Sequence, residues 1–111
     1  MNGTLIRDNI PANIEKNGEI CNYAEVKSQA LFNSLIRDKL VETVNIFLRT
    51  NSVETLAEVK AVVEAIAAEA KEAFDAAYEQ QMQELGGYSN RYVHILADYD
   101  AVNEPTNQTQ E

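Results

Sequence analysis

The sequence predicts an all-α protein, and three observations carry that expectation. Apolar residues recur at three- and four-residue steps over two long stretches, 24–49 and 51–85. The stretches are separated by the polar pair Asn51-Ser52, a connection short enough to favour two antiparallel helices. The second stretch ends at Gly86-Gly87, where a glycine can take the left-handed conformation that closes a helix.

In the second stretch Leu56, Val59, Val63, Ile66, Ala70, Phe74, Ala77 and Leu85 form one apolar stripe, on one long helix or a pair with a slight break. Glu54, Glu58, Glu64, Glu69, Glu72, Asp75, Glu79 and Glu84 occupy the other faces against Lys60 and Lys71. Asn51 with Glu54 three residues on reads as a reciprocal N-terminal cap. In the first stretch Ile36, Leu40, Val44 and Phe47 make the main stripe, supported by Val41 and Leu48. Leu31, Leu35 and Ile46 fall roughly opposite, so this helix is apolar on two sides and is expected to need neighbours from a second subunit.

Before these helices, residues 1–22 show no sustained period. Pro11 either ends a short segment or opens a short helix through Ile14 and Glu15, and Lys16-Asn17-Gly18 is a turn signal. After Gly87, Tyr92, His94 and Leu96 alternate with Val93 and Ile95, an extended arm or a short strand. We place one helical domain at 1–97 and a disordered polar tail at 98–111, where Asp, Asn, Thr, Gln, Pro and Glu prevail.

Composition narrows the function. The 111 residues suffice for one domain, and the net charge of -9 argues against nucleic-acid binding, which needs clustered Lys and Arg. The single cysteine, Cys21, cannot make an internal disulfide and fits a reducing compartment. No stretch is apolar enough to span a bilayer and no signal peptide is apparent, so a cytoplasmic location without membrane attachment is expected. There is no phosphate-binding glycine loop, Cys/His metal cluster or nucleophile elbow. The lone His94 reads as a packed or surface residue rather than a catalytic one. Tyr88 and Tyr92 flanking Arg91 could stack on and pair with a nucleotide or anchor an arm to the core.

Four ordered segments carry a resemblance. Leu5-Ile6-Arg7-Asp8-Asn9-Ile10-Pro11, followed by Ile14-Glu15-Lys16-Asn17-Gly18, is similar to the opening "LVRDKIPEIIEKNG" of small MazG-like, phosphoribosyl-ATP pyrophosphohydrolase-like proteins. Lys39-Leu40-Val41-Glu42 resembles their "KLxEE" helix. Glu54-Thr55-Leu56-Ala57-Glu58-Val59 with Val63-Glu64-Ala65 resembles "EELADVLEVIEA". Leu85-Gly86-Gly87-Tyr88, with Arg91 and Ile95-Leu96, resembles the terminal "RGGFxKRIxLL". Between Ala67 and Gly86 the chain is shorter than that pattern and lacks the glycine that breaks its second long helix.

The resemblance implies a helical bundle completed by oligomerisation, a dimer or a tetramer, whose helices enclose a nucleotide and magnesium. It also implies hydrolysis between the α- and β-phosphates of nucleoside triphosphates by carboxylates spaced EExxE and ExxD. Carboxylates three and four residues apart share a helix face, and magnesium takes oxygen ligands. Here those motifs become Glu42-Thr43-Val44-Asn45-Ile46 and Thr55-Leu56-Ala57-Glu58. Gln83, Glu84 and Leu85 replace the basic residues before the paired glycines.

No residue is therefore assigned a catalytic role and no cofactor is expected. The reading favoured is a non-catalytic protein that binds or sequesters a nucleotide-like signal through Arg7, Lys27, Arg37, Lys39, Tyr88, Arg91 and Tyr92. One alternative is a magnesium-dependent pyrophosphohydrolase with an altered metal site drawn from Glu42, Glu54 and Glu58. The other is an oligomeric interaction module.

Overall fold

A computed structural model of the chain describes residues 3–95. Among them the ordered elements are helices: α1 (Ile10–Lys16), α2 (Gln29–Thr50), α3 (Val53–Ala67) and α4 (Lys71–Leu85), with one 3-10 turn at Ala68–Ala70. No strand occurs among the described residues, so the Tyr88–Ile95 stretch is not a strand. No described helix is long and apolar enough to cross a membrane. The chain divides into two compact units, Met1–Glu69 and Ala70–Glu111. The polar tail expected at 98–111 lies outside the described residues.

In the first unit α1 starts with Pro11 in its first turn, where the missing N–H leaves no helical bond unmade. It ends in the Asn17-Gly18 turn, with Gly18 at φ 86°. Ser28 then caps α2, its hydroxyl accepting from the Leu31 N–H at 3.1 Å. The helix therefore begins five residues later than the apolar period suggested, because Ser28 supplies an acceptor for the first turn and Ala24 does not.

The connection between α2 and α3 departs from the sequence reading in an informative way. Asn51 belongs to α2, as its left-handed C-cap at φ 51°, with its N–H bonded to the Phe47 carbonyl at 2.7 Å. Ser52 is the N-cap of α3 and accepts from the Thr55 N–H at 3.1 Å. The Thr55 hydroxyl donates to the Ser52 carbonyl at 3.0 Å and also lies 3.0 Å from the Thr50 hydroxyl. The expected Asn51–Glu54 cap is thus replaced by Ser52–Thr55, shifted by one residue. One asparagine cannot supply both the left-handed end of α2 and the extended N-cap of α3. Ser52→Ala is expected to lower stability by about 1 kcal/mol, measured by urea unfolding; an unchanged midpoint would show that Thr50 and Thr55 hold the connection alone.

The helices α2 and α3 pack on each other, early residues of one beside late residues of the other, as an antiparallel pair requires. Among the described residues the buried ones are Ile36 (8% exposed) and Thr43 (4%) from α2 and Val62 (9%) from α3. Leu40, Val44 and Phe47 are half-buried beside Ile36, in line with the main stripe. Val41 and Leu48, expected to support that stripe, are exposed instead. Leu31, Leu35 and Ile46 are half-buried. At 100° per residue Leu31, Leu35 and Ile46 lie about 115–175° from the middle of the Ile36–Leu40–Val44–Phe47 stripe, roughly opposite it. Val41 with Leu48 forms an exposed apolar flank of that stripe. On α3, Val62 rather than Val63 points inward most completely, and Leu56 is half-exposed.

The break after Ala67 divides the second apolar stretch into two helices. Ala68–Ala70 form the 3-10 turn, and Ala70 at φ -146°, ψ 55° leaves helical geometry before α4 begins. Ala and Glu are strong helix formers, so the local sequence does not account for the break. In the second unit α4 ends where expected, at Gly86 (φ 76°), whose N–H bonds to the Met82 carbonyl at 3.0 Å. Its apolar stripe is Phe74, Tyr78, Met82 and Leu85, all exposed. Ala77 therefore gives way to Tyr78 and Met82, which continue the four-residue step from Phe74.

Candidate functional site

The first unit contains a cleft of about 570 Å³ between the N-terminal arm, α2 and α3. From α2 come Phe32, Ile36, Lys39 and Thr43, at steps of four, three and four along one face. Glu58, Ala61, Val62 and Ala65 line it from α3. Ala61 and Ala65 stand one turn apart and reach only a methyl towards α2, so space remains between the helices. The arm supplies Leu5, Ile6, Arg7, Asp8 and Ile10. Leu5 and Ile10 are half-buried, whereas Arg7 and Asp8 are exposed.

Three candidates far apart in sequence, Arg7, Lys39 and Glu58, line this one cleft. Lys39 is held by Glu42 at 3.4 Å, an i,i+3 pair on the α2 surface. The side chains of Arg7, Asp8 and Glu58 make no ion pair or hydrogen bond among the described residues. Arg7 therefore has its five guanidinium donors available to an incoming group. The Thr43 hydroxyl is engaged, donating to the Leu40 carbonyl at 3.2 Å.

The other candidates lie elsewhere. Lys27 sits in the segment before α2, 3.7 Å from Glu25 with both side chains well exposed, a contact of little energetic weight. Arg37 is exposed on α2 and Glu54 on the first turn of α3; neither lines the cleft. Tyr88, Arg91 and Tyr92 belong to the second unit. They form a turn closed by the Arg91 N–H on the Tyr88 carbonyl at 3.1 Å, with Arg91 at φ 60°. Both tyrosines project into solvent, and His94 is exposed as well. No group of three or more His, Cys, Asp or Glu side chains arranged to hold a metal ion occurs among the described residues.

The sequence reading missed Phe32, Ala61, Val62 and Ala65 as cleft residues. The signal for Phe32 was available, since Phe32, Ile36, Lys39 and Thr43 share one helical face, but apolar spacing alone marks Lys39 and Thr43 as interruptions. The alanines carry no signal until α3 is docked on α2.

The chain matches no protein-family model, no curated protein and no solved structure.

Proposed function

We propose that this protein is a non-catalytic binder of a phosphate-bearing, nucleotide-like small molecule, held in the cleft between the N-terminal arm, α2 and α3. The observation that carries the reading is the convergence of Arg7 and Lys39 on an apolar wall of Phe32, Ile36 and Val62. A cleft of about 570 Å³ falls within the range of small-molecule sites, which are mostly apolar with a few placed polar groups. A guanidinium grips phosphate oxygens in a fork, and an ammonium adds a point charge.

The MazG-like resemblance supports a nucleotide as the ligand class, and the chain's departures from its carboxylate pattern support sequestration rather than turnover. Two positions that correspond to carboxylates in that pattern are Thr43 and Ile46. Thr43 is 4% exposed with its hydroxyl on the Leu40 carbonyl, and Ile46 is half-buried in the helix surface. Neither offers an anionic oxygen to a hard dication. Binding is therefore expected to persist in chelator, and magnesium is expected to release no pyrophosphate from any common nucleoside triphosphate. Calorimetry with chelator, followed by a pyrophosphate assay with magnesium, tests both. Magnesium-dependent turnover lost in Glu42→Gln or Glu58→Gln would instead establish the pyrophosphohydrolase reading.

Self-association is a second element of the proposal, supported by exposed apolar side chains. Val41 and Leu48 on α2, Val53 and Leu56 on α3, and the α4 stripe face solvent in the single chain. Small monomers rarely leave so much apolar surface uncovered. A dimer or tetramer is expected by light scattering at micromolar concentration, and Leu56→Glu should shift it towards monomer. A wild-type monomer at that concentration would refute this element and leave the cleft untouched.

A further inference from the structure

We infer that Asp8 and Glu58 make the cleft selective for ligands bearing a single phosphate and discriminate against di- and triphosphates; the inference rests on the cleft being the ligand site. Among the described residues four ionic side chains line it, Arg7 and Lys39 against Asp8 and Glu58, so their formal charges sum to zero. The balance tips further towards negative because Lys39 is shared with Glu42 at 3.4 Å. Neither Asp8 nor Glu58 is neutralised by an ion pair or hydrogen bond among the described residues.

One phosphate ester can be met by Arg7 and Lys39 while its uncharged part lies on Phe32, Ile36 and Val62. Each further phosphate adds negative charge with no third cation in the cleft lining to receive it, and brings that charge towards Asp8 and Glu58. The whole chain, at a net charge of -9, adds a field of the same sign. Like charges held a few ångströms apart at a protein surface repel by enough to change affinity on the order of tenfold or more. A divalent cation would reverse this logic by bridging carboxylate and polyphosphate. Metal dependence therefore separates rejection of polyphosphates from metal-assisted binding of them.

The test is calorimetric titration of the full chain with the mono-, di- and triphosphates of the four common nucleosides, in chelator at low salt. Wild type, Asp8→Asn, Glu58→Gln and Arg7→Ala are compared; all three sites are exposed, and circular dichroism checks that each variant folds. A monophosphate should bind on the order of tenfold tighter than its triphosphate. The gap should narrow in Asp8→Asn and Glu58→Gln through a gain in triphosphate affinity. Equal or tighter triphosphate binding by wild type in chelator, still lost in Arg7→Ala, would overturn the selectivity and leave the cleft as the ligand site. A triphosphate preference that appears with magnesium in wild type but not in Glu58→Gln would also overturn it, by making Glu58 a metal ligand. No binding by any member of the series, or binding indifferent to Arg7→Ala, would overturn both the selectivity and the site.

Discussion

Arg7→Ala and Lys39→Ala are each expected to weaken metal-free binding of a phosphate-bearing ligand by about 1.5–3 kcal/mol, the range for a hydrogen bond to a charged group. That corresponds to a loss of roughly tenfold to more than a hundredfold in affinity. Arg7 should show the effect most cleanly, because its side chain makes no ion pair or hydrogen bond among the described residues. Its removal should therefore leave the melting temperature nearly unchanged. The arm is seated by the half-buried Leu5, Ile10 and Pro11. Lys39→Ala also removes the Glu42 pair, but a partly exposed i,i+3 pair contributes only a few tenths of a kcal/mol. A variant that lost stability and kept its affinity would move Arg7 from the site to the scaffold.

Ile36→Ala is expected to be the most damaging single truncation in the first unit. Ile36 is the one large apolar side chain of α2 that is buried, and its counterpart on α3 is Val62. Truncating a buried isoleucine to alanine destabilises by about 2–5 kcal/mol. Against a total of about 5–15 kcal/mol for a small domain, that is a large fraction. The loss should sit at the low end of the range, because Ile36 also lines the cleft and the new space opens onto an existing one. Val41→Ala provides the contrast: Val41 is 61% exposed, and the change should stay within about 0.5 kcal/mol. Urea unfolding of the two variants decides the matter. Equal effects would mean that Val41 is covered in solution by self-association through that side of α2, whereas the expected small effect leaves self-association to the exposed apolar side chains of α3 and α4.

What the sequence determined by itself was the local structure. Helical periodicity, the proline at the start of α1 and the glycine after α4 act over a few residues, and each marks an element that is present. The main stripe of α2 was legible for the same reason. Where two local signals competed within one or two residues, tertiary context decided between them. Asn51 and Ser52 are both good caps, and the close succession of α2 and α3 assigns the left-handed end to one and the N-cap to the other. The break at Ala68–Ala70 has no local cause among good helix formers, so periodicity left one long helix and a broken pair both open.

The cleft was legible only in pieces. Arg7, Lys39 and Glu58 were singled out by residue type and by the MazG-like resemblance, but a sequence cannot show that residues 7, 39 and 58 line one space. That depends on the antiparallel docking of α3 on α2 and on the arm lying across both. Glu54 shares a helix with Glu58, and Arg37 shares one with Lys39, yet neither lines the cleft. Arg37 is turned about 200° from Lys39, whereas Glu54 shares the face of Glu58 but stands one turn nearer the α2–α3 connection; only the packed neighbours determine which direction and which turn face the cleft.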